Sequence, residues 1–196
     1  FTLDDLNKAL GEKPEKSEKR EHTFTYTVTE SGEVAGVTND TKLSHEVSFT
    51  VTDDGEGTLR VSRNPHGDAA FTFINAYNVT PIESRVTDQI AATKVLTGRE
   101  LAADEFSFEL VEGDKVVARG TNATDGTIVM DKITYDKPGT HTYKLREKLP
   151  NEAGLSNGIT YDKTNYTIKT SVIDNGDGTL KVTHTLEGTK PARFEN

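Results

Sequence analysis

Three polar residues in the second half of the chain stand where strand alternation calls for apolar ones. In "AATKVLTG", Lys94 shares a face with Ala92 and Leu96. In "HTYKLRE", Glu147 shares a face with Tyr143 and Leu145, and in the terminal "ARFEN", Asn196 shares one with Ala192 and Phe194. Lysine and glutamate are rarely buried unless paired, and an unpaired buried charge is costly or neutralised by a pKa shift. Burial lowers the pKa of a lysine and raises that of a glutamic acid, so a buried pair can hold a neutral amine beside a protonated carboxyl. Such an amine can attack an asparagine side-chain carbonyl while the glutamic acid polarises that carbonyl and shuttles protons. Ammonia leaves, and a Lys–Asn isopeptide bond joins two strands. The alternative on pattern alone is that all three lie at strand ends and reach water.

The elements that must position these residues are strands. "HTFTYTVTE", "HEVSFTVTD", "EFSFELVEG", "HTYKLRE", "NYTIKTSVID" and "TLKVTHTLE" alternate with period two and are rich in Thr, Val, Ile, Tyr and Phe. Turn signals separate them: "DDGEGT", "DNGDGT", "EGDK" and "KPGT". One stretch, "LDDLNKALGEK", spaces Leu3, Leu6 and Leu10 as a helix would, with Gly11 as a stop.

An internal repeat organises the chain. "TVTDDGEGTLRV" matches "SVIDNGDGTLKV" at an offset of 121 residues, and at the same offset "FTFIN" falls on "ARFEN", which places Asn75 on Asn196. "FTYTVTE" matches "HTYKLRE" and places Glu30 on Glu147; "FTLDDL" matches "IVMDKI". The expected layout is the later part of a first repeat over 1–78, a linker over 79–90 and a complete repeat over 91–196. The opening "FTLDDL" begins mid-pattern, so the chain reads as a piece of something longer. Lys8, Lys13, Lys16, Lys19 and Lys42 lie in helix-like or charged contexts, so Glu30 and Asn75 are expected to have no lysine partner within this chain. Two all-β units of this size predict tandem immunoglobulin-like sandwiches.

Composition narrows the function classes. Among 196 residues, 33% are hydrophobic and 28% charged, which suits thin β cores. A net charge of −9 argues against nucleic acid or an anionic membrane as main partner. The absence of cysteine excludes disulfides, thiolate chemistry and cysteine-ligated zinc. No apolar run approaches the ~20 residues of a membrane span.

"TKVLTGRELAADEFSFEL", "YKLRE", "GITYDKTNYTIKTSVIDNGDGTLKV" and the terminal "FEN" together resemble the Gram-positive pilin isopeptide-linkage domain. The resemblance covers nearly all of 91–196, and its later half recurs over 1–77. It implies CnaB-like immunoglobulin sandwiches of cell-surface pilins and adhesin stalks, with an autocatalytic Lys–Asn bond and a helper glutamate. By position these are Lys94, Asn196 and Glu147. It further implies an extracellular, wall-anchored setting, neighbouring repeats or pilin subunits of the same fibre as partners, no cofactor, and self-cross-linking rather than turnover.

Other signals point to turns and loops. "DNGDGT" lacks the ligand spacing of a calcium loop. "LPNEAG" has glutamate where a sortase signal needs threonine. The sequons "NDT", "NVT", "NAT" and "NYT" are expected by chance in a threonine-rich chain. His22, His45, His66, His141 and His184 have no metal-ligand spacing, so no metal site is expected. Two competing functions remain. One is an adhesin module binding a host protein or glycan, which exposed loop aromatics would favour; there is no tryptophan, and the eight Phe and six Tyr fall mostly in strand patterns. The other is a hydrolase using Glu147 with Asp162, which would need two carboxylates across an open cleft.

Overall fold

A computed structural model describes residues 1–11, 19–64, 71–151, 153–188 and 190–196. Lys13, Lys16 and His66 lie outside them. The chain divides into two compact units, Phe1–Ala76 and Tyr77–Asn196. Both are built mainly of strands, in a tandem all-β arrangement.

The first unit opens with helix α1 (Leu3–Leu10). Thr2 and Asp5 form a reciprocal capping box at its start, and Gly11 ends it in the left-handed region. Of the three leucines expected on its inner face, Leu6 is buried and Leu3 is exposed. Strands β1 (Arg20–Thr29), β3 (Ser44–Asp53) and β4 (Leu59–Arg63) form an antiparallel sheet in the order β1-β3-β4. Short β2 (Val37–Thr38) and β5 (Ala76–Tyr77) complete the run. Val47 and Val51 are buried, whereas Phe24 and Val28 are half-buried and Tyr26 is exposed. Residues 71–75 carry no strand assignment among the described residues.

The second unit is a sandwich. Its large layer is a six-stranded antiparallel sheet in the order β10-β9-β8-β12-β15-β16. These strands are β8 (Ser107–Glu112), β9 (Lys115–Asn122), β10 (Ile128–Met130), β12 (Gly139–Glu147), β15 (Asn165–Asp174) and β16 (Leu180–Leu186). Opposite it lie two pairs, β6 (Ile82–Ser84) with β11 (Ile133–Tyr135), and β7 (Ala92–Val95) with β17 (Ala192–Glu195). A small hairpin joins β13 (Leu155–Ser156) to β14 (Ile159–Thr160). Phe106, Phe108, Leu110, Ile128, Tyr143, Leu145, Ile168 and Phe194 fill the space between the layers. Phe108 on β8 meets Phe194 on β17 with ring centroids 5.1 Å apart.

Two expectations change. Residues 79–90, expected as a linker, carry β6 and a single 3-10 turn, Val86–Asp88. Val86 and Ile90 are buried in the core of the second unit, so this stretch belongs to the sandwich. The match of "FTLDDL" to "IVMDKI" carries no common structure: the first starts a helix and the second contains a strand. The repeated "DDGEGT" and "DNGDGT" are hairpin loops, with positive φ at Gly55, Gly57, Gly176 and Gly178. Their aspartates accept the loop N–H groups: Asp53 from Gly55, Asp54 from Glu56 and Thr58, and Asp174 from Gly176. These carboxylates are turn-formers.

Candidate functional site

Strand β7 turns Ala92 and Lys94 inward and leaves Thr93 exposed. It pairs in parallel with β17, Ala192 opposite Ala92 and Phe194 opposite Lys94. Two main-chain bonds extend the pairing, from Asn196 N–H to Val95 O and from Thr97 N–H to Asn196 O. On the other edge of β7, Lys94 N–H donates to Gly126 O at 2.7 Å. Gly126 has φ +85°, and a Cβ there would lie 2.3 Å from Lys94 O. Only glycine combines that conformation with that approach.

Glu147 ends β12 beyond Tyr143 and Leu145, all three buried. The structure brings Lys94, Glu147 and Asn196 together. The side chains of Lys94 and Glu147 have no exposure, and Lys94 Nζ lies 3.3 Å from Glu147 Oε1 and 3.4 Å from Oε2. Asn196 Nδ2 donates to Glu147 Oε1 at 3.0 Å. The Phe106 ring covers the amine, with Nζ 4.5 Å from its centroid. Burial pushes the Lys94 pKa below its ordinary value, against the opposing pull of Glu147. Burial likewise pushes Glu147 up, against Lys94 and the Asn196 and Asp162 hydrogen bonds. Both directions favour amine and carboxylic acid over ammonium and carboxylate.

The asparagine carbonyl is held differently from the sequence expectation. Its Oδ1 accepts the main-chain N–H of Asp162 at 2.9 Å, while Glu147 faces the amide nitrogen. A donor N–H can only face the oxygen, so Asp162 fixes which end of the amide meets which partner. The same N–H lies 3.1 Å from Glu147 Oε2. The Asp162 carboxylate in turn accepts from Thr164 N–H at 2.8 Å and from Glu195 N–H at 2.9 Å. Burial opposes ionisation of Asp162, but the Thr164 side chain and the Glu195 and Thr164 main-chain N–H groups outweigh it and hold its pKa below the ordinary value.

The first unit repeats part of this arrangement. Asn75 Nδ2 donates to Glu30 Oε1 at 2.6 Å, and Asp40 N–H donates to Asn75 Oδ1 at 3.1 Å. Asp40 accepts from Lys42 N–H at 2.9 Å and from Ile74 N–H at 2.8 Å. Glu30 Oε2 is buried and has no hydrogen-bond partner among the described residues. Sequence reasoning named Asp162 only as a hydrolase carboxylate, not as a partner of the asparagine, and did not name Asp40. The signal that could have found them is "GITYD" against "GVTND", at an offset of 122 residues.

The model of the Spy0128-like isopeptide-containing domain, FctA, matches residues 5–78 and 90–196. The chain belongs to this family. No curated protein matches it. FctA domains are structural domains of pilins rather than turnover enzymes, which supports a structural role in a pilin or adhesin at the cell surface. No described helix is long and apolar enough to cross a membrane.

Proposed function

We propose that the second unit closes itself with an isopeptide bond between Lys94 and Asn196, assisted by Glu147, and serves as a load-bearing segment of a Gram-positive surface pilin or adhesin stalk. The observation that carries this reading is the shared Glu147 Oε1, which meets the Lys94 amine at 3.3 Å and the Asn196 amide nitrogen at 3.0 Å. The uncharged amine attacks Cγ of Asn196. Glu147 takes a proton from Nζ and gives one to Nδ2, and the Cγ–Nδ2 bond breaks as the Nζ–Cγ bond forms. One ammonia leaves, and Glu147 ends as it began. The Glu147 side chain has no exposure to solvent and is engaged with Lys94 and Asn196, which weighs against the hydrolase reading. Neighbouring subunits of the same fibre are the partners this role calls for. In the first unit, Glu30 and Asn75 await a lysine that the described residues do not bring to Glu30 Oε2.

Intact mass under denaturing conditions tests the reading. The expected result is a deficit of one ammonia, with peptide mapping joining Lys94 to Asn196. Glu147→Ala restores the full mass while the unit keeps its strand content. No deficit in the parent chain overturns the proposal and brings forward the adhesin module.

A further inference from the structure

Resting on that reading, we infer that Asp162 completes the reaction centre: its main-chain N–H is the oxyanion donor for cross-linking, and its carboxylate positions that donor on the last strand. When Nζ bonds to Cγ of Asn196, negative charge gathers on Oδ1. The N–H of Asp162 already lies 2.9 Å from that atom. The contact is partly buried beside the fully buried Lys94–Glu147 pair, and a donor preorganised there stabilises such charge more than water would. Glu147 faces Nδ2 and so serves the departing nitrogen. The two jobs of acyl transfer, holding the oxyanion and protonating the leaving group, fall to different groups.

The carboxylate explains how a loop N–H is aimed so closely. One oxygen is tied to Thr164 N–H, which shapes the loop, and the other to Glu195 N–H, one residue before the reacting asparagine. Loop and strand therefore move as one piece. The first unit supplies an independent instance. Asp40, Ile74, Asn75 and Lys42 reproduce all three bonds, with a Glu30 oxygen that has no hydrogen-bond partner among the described residues. The clamp thus forms where no described lysine meets Glu30 Oε2. It is a property of the loop and the asparagine strand.

The direct test replaces the donor and nothing else. Asp162→malate, introduced through a suppressor tRNA in cell-free translation, exchanges the amide N–H for an ester oxygen and keeps the side chain. Cross-linking is followed by quenching into denaturant and weighing intact chains. The ester is expected to slow the reaction roughly 10²–10³-fold, as loss of one oxyanion donor does elsewhere. The acid limb of the pH profile should stay in place, while the alkaline limb should move up, because the ester also removes the Asp162 N–H bond that lowers the Glu147 pKa. Asp162→Ala should slow it by about tenfold or more through loss of aim, and Asp162→Asn less, because its oxygen can still accept one N–H. Folding of each variant is checked by circular dichroism in a Lys94→Met background. Asp40→Ala should leave the rate in the second unit unchanged. A folded ester chain that cross-links at the parent rate overturns the inference, as does equal slowing by Asp40→Ala. A parent chain that forms no bond overturns the function proposed above instead.

Discussion

At Lys94 the main chain is as tightly enclosed as the side chain. Gly126 O receives its N–H, and the missing Cβ of Gly126 is what lets Lys94 O approach. Gly126→Ala combines a disfavoured φ with contact against rigid main chain, so β7 must shift. The expected outcome is a folded unit whose cross-linking, measured by intact mass over time, is slowed by at least about tenfold, since roughly an ångström of misplacement can cost up to about 100-fold. Acid and alkali act on the same pair from opposite sides. In the proposed reaction the active form would hold one proton, on Glu147 and not on Lys94. Burial raises Glu147 and lowers Lys94, so that proton can pass between them without exchange with solvent. Acid adds a second proton to Lys94; alkali strips the one on Glu147. The rate should be flat near neutrality and fall on both sides, which refolding unfolded, uncross-linked chains across a pH series would measure. Lys94, Glu147 and Asn196 stood out in the sequence as polar side chains on apolar strand faces, although pattern alone left strand ends open and the resemblance supplied their roles. Asp162 and Gly126 did not stand out. The first acts through a main-chain N–H that every residue but proline carries, and the second through a contact 32 residues away.

Among elements, the strands were readable from alternation, and α1 from its leucine spacing and Gly11. The boundaries between elements of different layers were not. Residues 79–90 looked like a linker because β6 is three residues long, too short to show a period, and its partner β11 lies about 50 residues on. His184 ties these layers together. On β16, its Nδ1 pairs with the Thr170 hydroxyl at 2.7 Å and its Nε2 with Ser84 on β6 at 2.8 Å. Burial holds its pKa below the ordinary value, against a weak pull from Asp88. The unfolded chain then takes up a proton that the folded one refuses. Stability from this group is full above the ordinary pKa of 6.5 and is lost as pH falls from there toward the folded value. Urea melts of a Lys94→Met chain should show that decline, and His184→Gln should flatten it.

For the second unit as a whole, the bond would tie residues 94 and 196 across about 100 residues of chain. By analogy with a disulfide closing a loop of that length, it would stabilise by roughly 4–5 kcal/mol. Lys94→Ala should lose that in a denaturant melt. Under force the difference is larger. Tension entering at β7 and leaving at β17 would meet a covalent link before any hydrogen bond of the six-stranded sheet. Single-molecule stretching should release no length from residues 94–196, and only the stretch 77–93, which lies outside the loop, should be able to lengthen. The Lys94→Ala chain should release about 340–370 Å, at ~3.3–3.6 Å for each residue freed. A parent chain that lengthens as much as the variant would contradict the assignment of Lys94 to Asn196.

The parallel pairing of β7 with β17 also sets an order in time. A ribosome makes the nucleophile's strand early and the electrophile's strand 102 residues later. A nascent chain that has not reached Asn196 would hold only one half of the proposed lock. A chain fed through a narrow membrane channel in extended form would carry no closed loop to obstruct it, and closure would wait until Asn196 had emerged and β17 had docked. Docking of β17 would itself be the trigger, so every locked molecule would be one whose chain had been made through Asn196 and folded through that strand.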